Sequence, residues 1–393
     1  MTVSISGTEL HSCPATPAEL QTVLADTTAS HPKVRITGAG TAVEWGAQPL
    51  PTDLVLDTRA LCGIVRYNPA DMTVAVRAGT PLSHLQRELA AQGQRVAFDA
   101  PRAEVGATIG GLIATADAGP AQQAYGTLRD LVIGMTIVLA DGTVARSGGH
   151  VIKNVAGYDL AKLFQGSLGT LGVVAEVVLR LHPLPRASAT LRLTRTATDA
   201  VALGRRVIAG ALEPAALEWC RDQLLVRFEG GRGGVDDRLA AVARLAGEPG
   251  DVLRGEEEAA AWQLVHEVAL GRPDDTVLRI GTLPGQGGRI IEVVEALAAR
   301  CAVEADATTS IGVGAHTVRL CMGDPAARAR FLTSLRAEAA GLDALVTVRR
   351  RDGLPDGTDV WGPPPPTVPL MRAIKQQFDP ADRFGAGRLA PWL

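Results

Sequence analysis

Gly38-Ala39-Gly40-Thr41 follows the short predicted strand Val34-Arg35-Ile36, with Thr37 between. Glycines at a strand end let the backbone take positive φ and approach a ligand closely. Successive N–H groups in such a turn form a nest that attracts anions. An ordinary tight turn accounts for the same four residues. The loop is not a Rossmann fingerprint, because no third glycine stands at the required offset and no long amphipathic helix follows. Four more small-residue or loop motifs follow along the chain: Gly106 to Thr115, Tyr125 to Asp130, Lys153 to Leu160, and Gly166 to Val173. Small residues in such stretches let the backbone pass close to a third body. Each alone is explained by loop packing; all five in this order and spacing are hard to reach by chance.

Acid–base candidates are few. His316 stands in Gly312-Val313-Gly314-Ala315-His316-Thr317, with Arg319 three residues on. A lone His in a strand reads first as a packed or solvent-touching residue, and Arg319 first as a salt-bridge partner. Their functional readings are a catalytic base and a carboxylate clamp. His150, beside Gly148-Gly149, is either a loop residue or a neighbour of the site.

The elements that must hold these motifs are legible in outline. Thr16, Pro17 and Glu19 mark a helix start with a capping box, and Leu20, Val23 and Leu24 supply its apolar face. Strands are predicted at 34–36, 54–56 and 73–77. Thr80 is then expected to cap a helix with Pro81 at its first position and Gly93 beyond its end. Residues 131–146 read as a hairpin around Asp141-Gly142. Residues 172–182 form a long strand closed by Pro183 and Pro185, where a domain boundary is placed. Strand and helix groups alternate in 188–355, which predicts an antiparallel sheet with helices on one face. The predicted helices are Arg205–Ala211, Val235–Ala246, Ile290–Cys301 and Pro325–Ala340. A proline run at 363–366 acts as a stiff connector, and a short helix from Met371 to Phe378 precedes the tail.

Composition narrows the function classes. The formal net charge of -3 implies neither a nucleic acid nor an acidic membrane surface as partner. Cys13, Cys62, Cys220, Cys301 and Cys321 are scattered without a C-x-x-C pair, which argues against a zinc ribbon or an iron–sulfur cluster held by this chain, and no metal site is expected. Free thiols fit a reducing, cytoplasmic compartment. No signal peptide or membrane-spanning run is visible, so membrane contact is expected only at the inner face, through partners.

With the five motifs in view, residues 30–187 resemble the FAD-binding domain of the vanillyl-alcohol oxidase/PCMH superfamily. VIKNVAGYDLAKLFQGSLGTLGVVAEVVLRL, VWGPPPP and FDPADRF are similar to the FAD-binding (E) subunits of bacterial glycolate oxidases. The resemblance implies an α+β chain in three parts: a two-lobed FAD-binding domain (1–187), a cap, substrate or interface domain with an antiparallel sheet and helices (188–358), and a segment returning to the FAD domain (359–393). It assigns Gly38, Ala39, Gly40, Thr41 and Ala42 to the pyrophosphate loop. Thr108, Gly110, Gly111, Ala114 and Thr115 would meet the pyrophosphate and ribityl chain from the other lobe, and Pro101 and Ala107 are added to the cofactor set. Tyr125, Gly126, Arg129 and Asp130 would lie near the flavin ring or its approach. Asn154, Gly157, Gly172 and Val173 would bracket the ribityl and adenine portions. Covalent members of the superfamily carry a His in the first loop or a Cys in the second segment. Gly38–Gly46 holds neither and 106–119 holds no Cys, so one non-covalent FAD is expected.

Two departures shape the functional expectation. Catalytic relatives carry a G-D-G-N-x-H pattern with a metal-binding His set, and the stretch at Gly312 has one His and no acidic partner. Relatives often read R-F-N-P-G-[KR] in the tail, where this chain reads Arg383-Phe384-Gly385-Ala386-Gly387-Arg388. Arg388 is a candidate to replace the missing Asn. The resemblance therefore implies an FAD-carrying subunit of a glycolate- or lactate-type 2-hydroxy-acid dehydrogenase. It would work beside a second flavin subunit that does the substrate chemistry and pass electrons to an iron–sulfur subunit. The alternatives are a stand-alone FAD-dependent oxidase or dehydrogenase of a small hydroxylated substrate, and a non-enzymatic assembly module. The intact nucleotide-loop glycines argue against the last.

Overall fold

The computed structural model describes the backbone of residues 2–6 and, in full, residues 9–151 and 157–393. The chain divides into two compact units: residues 1–118, 126–184 and 363–393 form the first, and 119–125 with 185–362 form the second.

The first unit contains two lobes. One is a four-stranded sheet in the order Thr2–Ser6, Glu9–Cys13, Leu54–Asp57, Val34–Thr37, the last three strands mutually parallel. Helix Pro17–Asp26 supplies Leu20, Val23 and Leu24 to a core shared with Val34, Leu54, Leu56 and Phe384. Its start follows the sequence reading: the Thr16 hydroxyl accepts from the Glu19 N–H, and the Glu19 carboxylate accepts from Ala15 N–H at 2.9 Å. The other lobe is a five-stranded antiparallel sheet in the order Ile64–Asn68, Thr73–Arg77, Val173–Arg180, Val132–Val138, Val144–Gly148. Helices Leu82–Ala90 and Ile109–Thr115 contribute to its buried apolar cluster. Thr80 does not cap helix Leu82–Ala90. Pro81 occupies the N-cap, and the Thr80 hydroxyl instead donates to Arg77 O and accepts from Gly63 N–H.

The tail extends the first lobe. Val34 N–H donates to Arg383 O at 2.8 Å and Gly385 N–H to Val34 O at 3.2 Å, so Phe384 pairs with the sheet-edge strand. Two buried groups explain the spacing in FDPADRF. The Asp379 carboxylate accepts from the N–H groups of Arg383 (2.9 Å) and Phe384 (2.7 Å) and from Lys375 Nζ (2.6 Å). The Arg383 guanidinium, in a residue only 2 % exposed, donates to Leu24 O at 2.7 Å, Ala140 O, and the hydroxyls of Thr27 and Thr28. A cation here meets the carbonyls that a helix C-terminus leaves unsatisfied.

The second unit is built on one eight-stranded antiparallel sheet: Asp251–Leu253, Ala187–Thr194, Gln223–Gly230, Ala216–Cys220, Glu304–Ser310, Ala315–Met322, Thr276–Gly281, Leu345–Arg350. The observed helices Ala197–Ala209, Arg232–Ala246, Gly287–Cys301 and Pro325–Ala340 correspond to the four read from the sequence. The expectation of helices on one face fails at Gly255–Leu270. Helix Ala197–Ala209 approaches the Leu217 side through Gly204, and Leu217 pairs with Val226 and Val226 with Leu191. Helix Gly255–Leu270 instead meets the alternate residues. Trp262 Nε1 donates to Thr190 Oγ1 at 2.9 Å, and Glu258 accepts from Ser188 and Thr190. Its apolar positions are spaced around Glu258, so no clean stripe announced it in the sequence.

Candidate functional site

A cleft in the first unit gathers residues from both lobes and encloses about 840 Å³ of space, its open mouth included. One wall is the loop after strand Val34–Thr37. The other combines residues 107–115 with 167–174, and Arg388 comes from the tail. Gly38, Ala39, Gly40, Thr41, Ala42, Ala107, Thr108, Gly110, Gly111, Ala114, Thr115, Gly172 and Val173 all line it.

Close approach of the walls explains two glycines. A Cβ on Gly38 would stand 2.5 Å from Thr108 Oγ1, and one on Gly110 would stand 2.9 Å from Ala78 Cβ. Both neighbours are buried and short, so they have little freedom to yield. Gly40 takes φ +74°, the left-handed region that favours glycine.

The donors are distributed unequally between the walls. On the second wall, Ile109 N–H donates to Thr80 O (2.9 Å), Gly110 N–H to Ala78 O (2.7 Å) and Gly111 N–H to the Thr108 hydroxyl (3.2 Å). These three amides are therefore spent inside the protein, and Gly110 and Gly111 contribute space rather than N–H donors. The amides of Ala39, Gly40, Thr41 and Ala42 make no hydrogen bond to the described protein, which leaves them for a ligand. Arg102 and Arg388 are the cations among the lining residues, and no Asp or Glu stands among them. Arg102 Nε donates to Thr41 O at 3.0 Å, and its guanidinium lies 3.9 Å from the centre of the Trp45 ring. Arg388 donates to Ala42 O at 3.1 Å and Trp45 O at 2.5 Å. A narrow, positively charged cleft with free amides on a glycine loop suits a phosphorylated ligand with more than one negative charge.

Sequence reasoning missed Arg102, although it is the one charged residue between Asp99 and Glu104 in an otherwise apolar segment. It also missed Thr58 and Ala78, and it named no cofactor contact in the Ser167-Leu168-Gly169 turn. That turn was quoted as a motif, and it folds so that Leu168 N–H donates to Ala114 O at 2.7 Å.

Several expected site residues lie elsewhere. Pro101 is buried at the start of the 3-10 turn Pro101–Val105, one position from the lining residue Arg102. Tyr125 belongs to the second unit, where its hydroxyl donates to Glu229 at 2.8 Å. Asp130 caps the short helix Leu128–Leu131: its carboxylate accepts from Thr127 N–H at 2.9 Å, and a Cβ on Gly126 would meet that carboxylate at 2.6 Å. Arg129 is exposed beside it. Local capping thus accounts for the spacing in Gly126-Thr127-Leu128-Arg129-Asp130. Gly157 is exposed and does not line the cleft, and Asn154 lies outside the described residues. His150 Nδ1 stands 3.2 Å from the Thr73 hydroxyl, on the five-stranded sheet.

His316 and Arg319 occupy the second unit's sheet. His316 is 0 % exposed, with Nε2 at 2.8 Å from Thr282 Oγ1 and Nδ1 at 3.1 Å from Thr309 Oγ1. Burial, with Arg279 nearby, pushes its pKa down to about 3. Arg319 is 5 % exposed and sits at 2.5 Å from Asp306 and 3.8 Å from Asp275. Its charge is matched inside the sheet. Among the described residues no group of three or more His, Cys, Asp or Glu side chains is placed to hold a metal ion.

The His316 environment has a pH signature. The unfolded imidazole binds a proton near pH 6.5 and the folded one only near 3, so between those values the unfolded chain carries the extra proton. Stability from this group is complete above about pH 6.5 and falls as pH drops toward 3, by up to about 1.4 kcal/mol per pH unit. Urea unfolding at pH 7, 6, 5 and 4 is expected to show this slope in wild type and its loss in His316→Asn. Parallel profiles would contradict it.

Comparison with known proteins agrees with the cleft. The FAD binding domain family matches residues 9–148. Glycolate oxidase subunit GlcE of Escherichia coli is 37% identical over 56% of this chain and 60% of its own length, so the match spans under two thirds of that relative. An uncharacterized FAD-linked oxidoreductase of Mycobacterium tuberculosis is 26% identical over 95% of this chain and 89% of its own length. Among solved structures, alkyldihydroxyacetonephosphate synthase shares the fold, with a TM-score of 0.71 at 14% identity over 96% of this chain and 76% of that one. Family match, relatives and cleft agree: residues 9–148 match the FAD binding domain family, the chain resembles the glycolate oxidase FAD-binding subunit, and FAD is its cofactor.

Proposed function

We propose that this chain is the FAD-carrying subunit of a glycolate- or lactate-type 2-hydroxy-acid dehydrogenase complex. A second flavin subunit oxidises the substrate, and an iron–sulfur subunit receives the electrons. FAD supplies the hydride- and electron-transfer chemistry when bound. The chain's own residues bind and orient it: the Gly38–Ala42 amides and the Arg102 and Arg388 charges hold the diphosphate, and Gly38 and Gly110 keep the walls close. No His or Cys lines the cleft among the described residues, which supports a dissociable cofactor.

The observation that carries the division of labour is His316. A substrate base must reach the proton it abstracts. This imidazole is fully buried, both nitrogens face threonine hydroxyls, and its neighbour Arg319 is already paired. The 37% identity to a named glycolate oxidase subunit supports the same reading. A second reading, a stand-alone FAD-dependent oxidase or dehydrogenase, draws on the relative that matches 95% of this chain and is named as an FAD-linked oxidoreductase.

Anaerobic addition of glycolate, D-lactate or L-lactate to the flavin-loaded chain separates the two. The complex reading expects no bleaching by any acid alone, and co-purification of a tagged chain with an iron–sulfur protein from its own host. Rapid bleaching of the isolated chain by one acid establishes the stand-alone enzyme and contradicts the complex reading.

A further inference from the structure

The second unit holds a cavity of its own, enclosing about 970 Å³ of space with its open mouth included. Residues 119–125 belong to this unit and supply Gln123 and Tyr125, while Glu213, Glu229 and Arg238 supply charge. Ile208, Ala211, Pro214 and Ala215 give it apolar walls. None of these residues lines the FAD cleft.

Arg238 is the group that calls for a ligand. Its Nη2 donates to Glu229 O at 2.7 Å and its Nε to Gly234 O at 3.0 Å, and the guanidinium lies 4.9 Å from the centre of the Phe228 ring. Nη1 reaches only Glu213 O, at 3.4 Å. All three acceptors are backbone carbonyls. They fix the cation in place without matching its charge, and among the described residues no carboxylate forms an ion pair with it. A guanidinium held this way, with donor capacity left over, is suited to a carboxylate. Gln123 adds a second donor. Its Oε1 is shut against Gly312, where a Cβ would stand 1.8 Å from it, and this leaves Nε2 for the cavity.

The opposite charge comes from Glu229. Its Oε2 accepts from the Tyr125 hydroxyl at 2.8 Å, and a carboxylate has lone pairs for further donors. Glu213 stands exposed at the same cavity. Two carboxylates against one guanidinium favour a ligand that brings a cation along with its carboxylate. The backbone is unusual here as well. Ala211 and Glu213 take φ of +52° and +51°, a left-handed conformation that non-glycine residues seldom hold and that clusters at ligand sites.

We propose that this cavity binds a small α-amino acid with an apolar side chain. Arg238 and Gln123 receive its carboxylate, Glu229 receives its ammonium group, and the side chain lies against Ile208, Ala211 and Pro214. The inference does not rest on the FAD assignment.

The full chain is titrated by calorimetry with glycine, L-alanine, L-valine and L-leucine. Two analogues of leucine, 4-methylpentanoate and 3-methylbutylamine, each keep one of its charges. Loss of a charged hydrogen bond weakens binding roughly 10- to 100-fold. Leucine is expected to bind, and each analogue to bind more weakly by that factor. Arg238→Gln is expected to weaken leucine by the same factor and to leave 3-methylbutylamine unchanged. Glu229→Gln, which keeps an acceptor for the Tyr125 hydroxyl, is expected to weaken leucine and to tighten 4-methylpentanoate. General damage to the cavity would weaken every compound alike, so the opposite responses mark a binding role. FAD content is expected to stay at the wild-type level in both variants.

Failure of all four amino acids to bind the wild-type chain overturns the proposal. So does leucine affinity that neither substitution changes, which places any binding elsewhere. Should Arg238→Gln not fold, the response of Glu229→Gln to leucine and 4-methylpentanoate decides.

Discussion

Arg383→Ala is expected to destabilise the first unit by about 3–5 kcal/mol, since hydrogen bonds to a charged group contribute roughly 1.5–3 kcal/mol each and more than one is lost. The guanidinium bonds to Leu24 O, Ala140 O, Thr27 Oγ1 and Thr28 Oγ1, joining the end of helix Pro17–Asp26, the hairpin turn and the tail. Truncation leaves two buried carbonyls without these donors and opens a void where the side chain lay. Thermal unfolding is expected to shift down by roughly 10 °C, since about 2–4 °C accompanies each kcal/mol in domains of this size. Arg383→Lys keeps the charge but not the fork of donors, and is expected to recover only part of the loss. A midpoint within 2 °C of wild type for Arg383→Ala would contradict the account of FDPADRF as a structural staple.

Gly38→Val is expected to abolish FAD retention with a smaller effect on folding. Even the first added carbon stands 2.5 Å from Thr108 Oγ1, and that hydroxyl accepts from Gly111 N–H. The walls must separate or the loop must rotate, and either change moves the free amides away from the ligand. Overpacking costs on the order of 1–3 kcal/mol in stability. The loss in FAD affinity is expected to exceed a hundredfold, because misplacing several donors acts on all of them together. FAD-to-protein ratios of the purified variants, read from absorbance, check this. Retention of stoichiometric FAD by Gly38→Val would show that the loop does not face the cofactor.

Much of the first unit was legible from the chain alone, for physical reasons. The Thr16–Glu19 cap, the Asp141-Gly142 turn and the glycine loop at 38–40 are local, so residue type and spacing suffice to find them. The segments 38–42 and 107–115, which line the cleft, were also singled out, because their small residues recur in an order and spacing that loop packing alone does not produce. What failed was long-range. Which amides remain free depends on partners such as Ala78 and Thr80, and nothing in Gly110-Gly111 announces that those donors are already committed. Arg102 carries no motif; it matters because Trp45, Thr41 and Asp117 converge on it from distant parts of the chain. The segment Gly126 to Asp130, expected near the flavin ring, does not line the cleft, and its spacing is that of a capping box, a competing local explanation for the same letters. In the second unit, helix Gly255–Leu270 packs through Trp262, Val265 and Glu258, a mixed polar and apolar surface that periodicity does not detect.

The central claim is that the first unit holds one FAD in a cleft built by residues 38–42, 107–115 and 167–174. Titrating the flavin-free chain with FAD, with stoichiometry read by calorimetry and the cofactor released by acid precipitation, tests it most directly. The account expects one FAD per chain, all of it released into the supernatant. No binding by the folded wild-type chain, or flavin that stays with the precipitated protein, would contradict it.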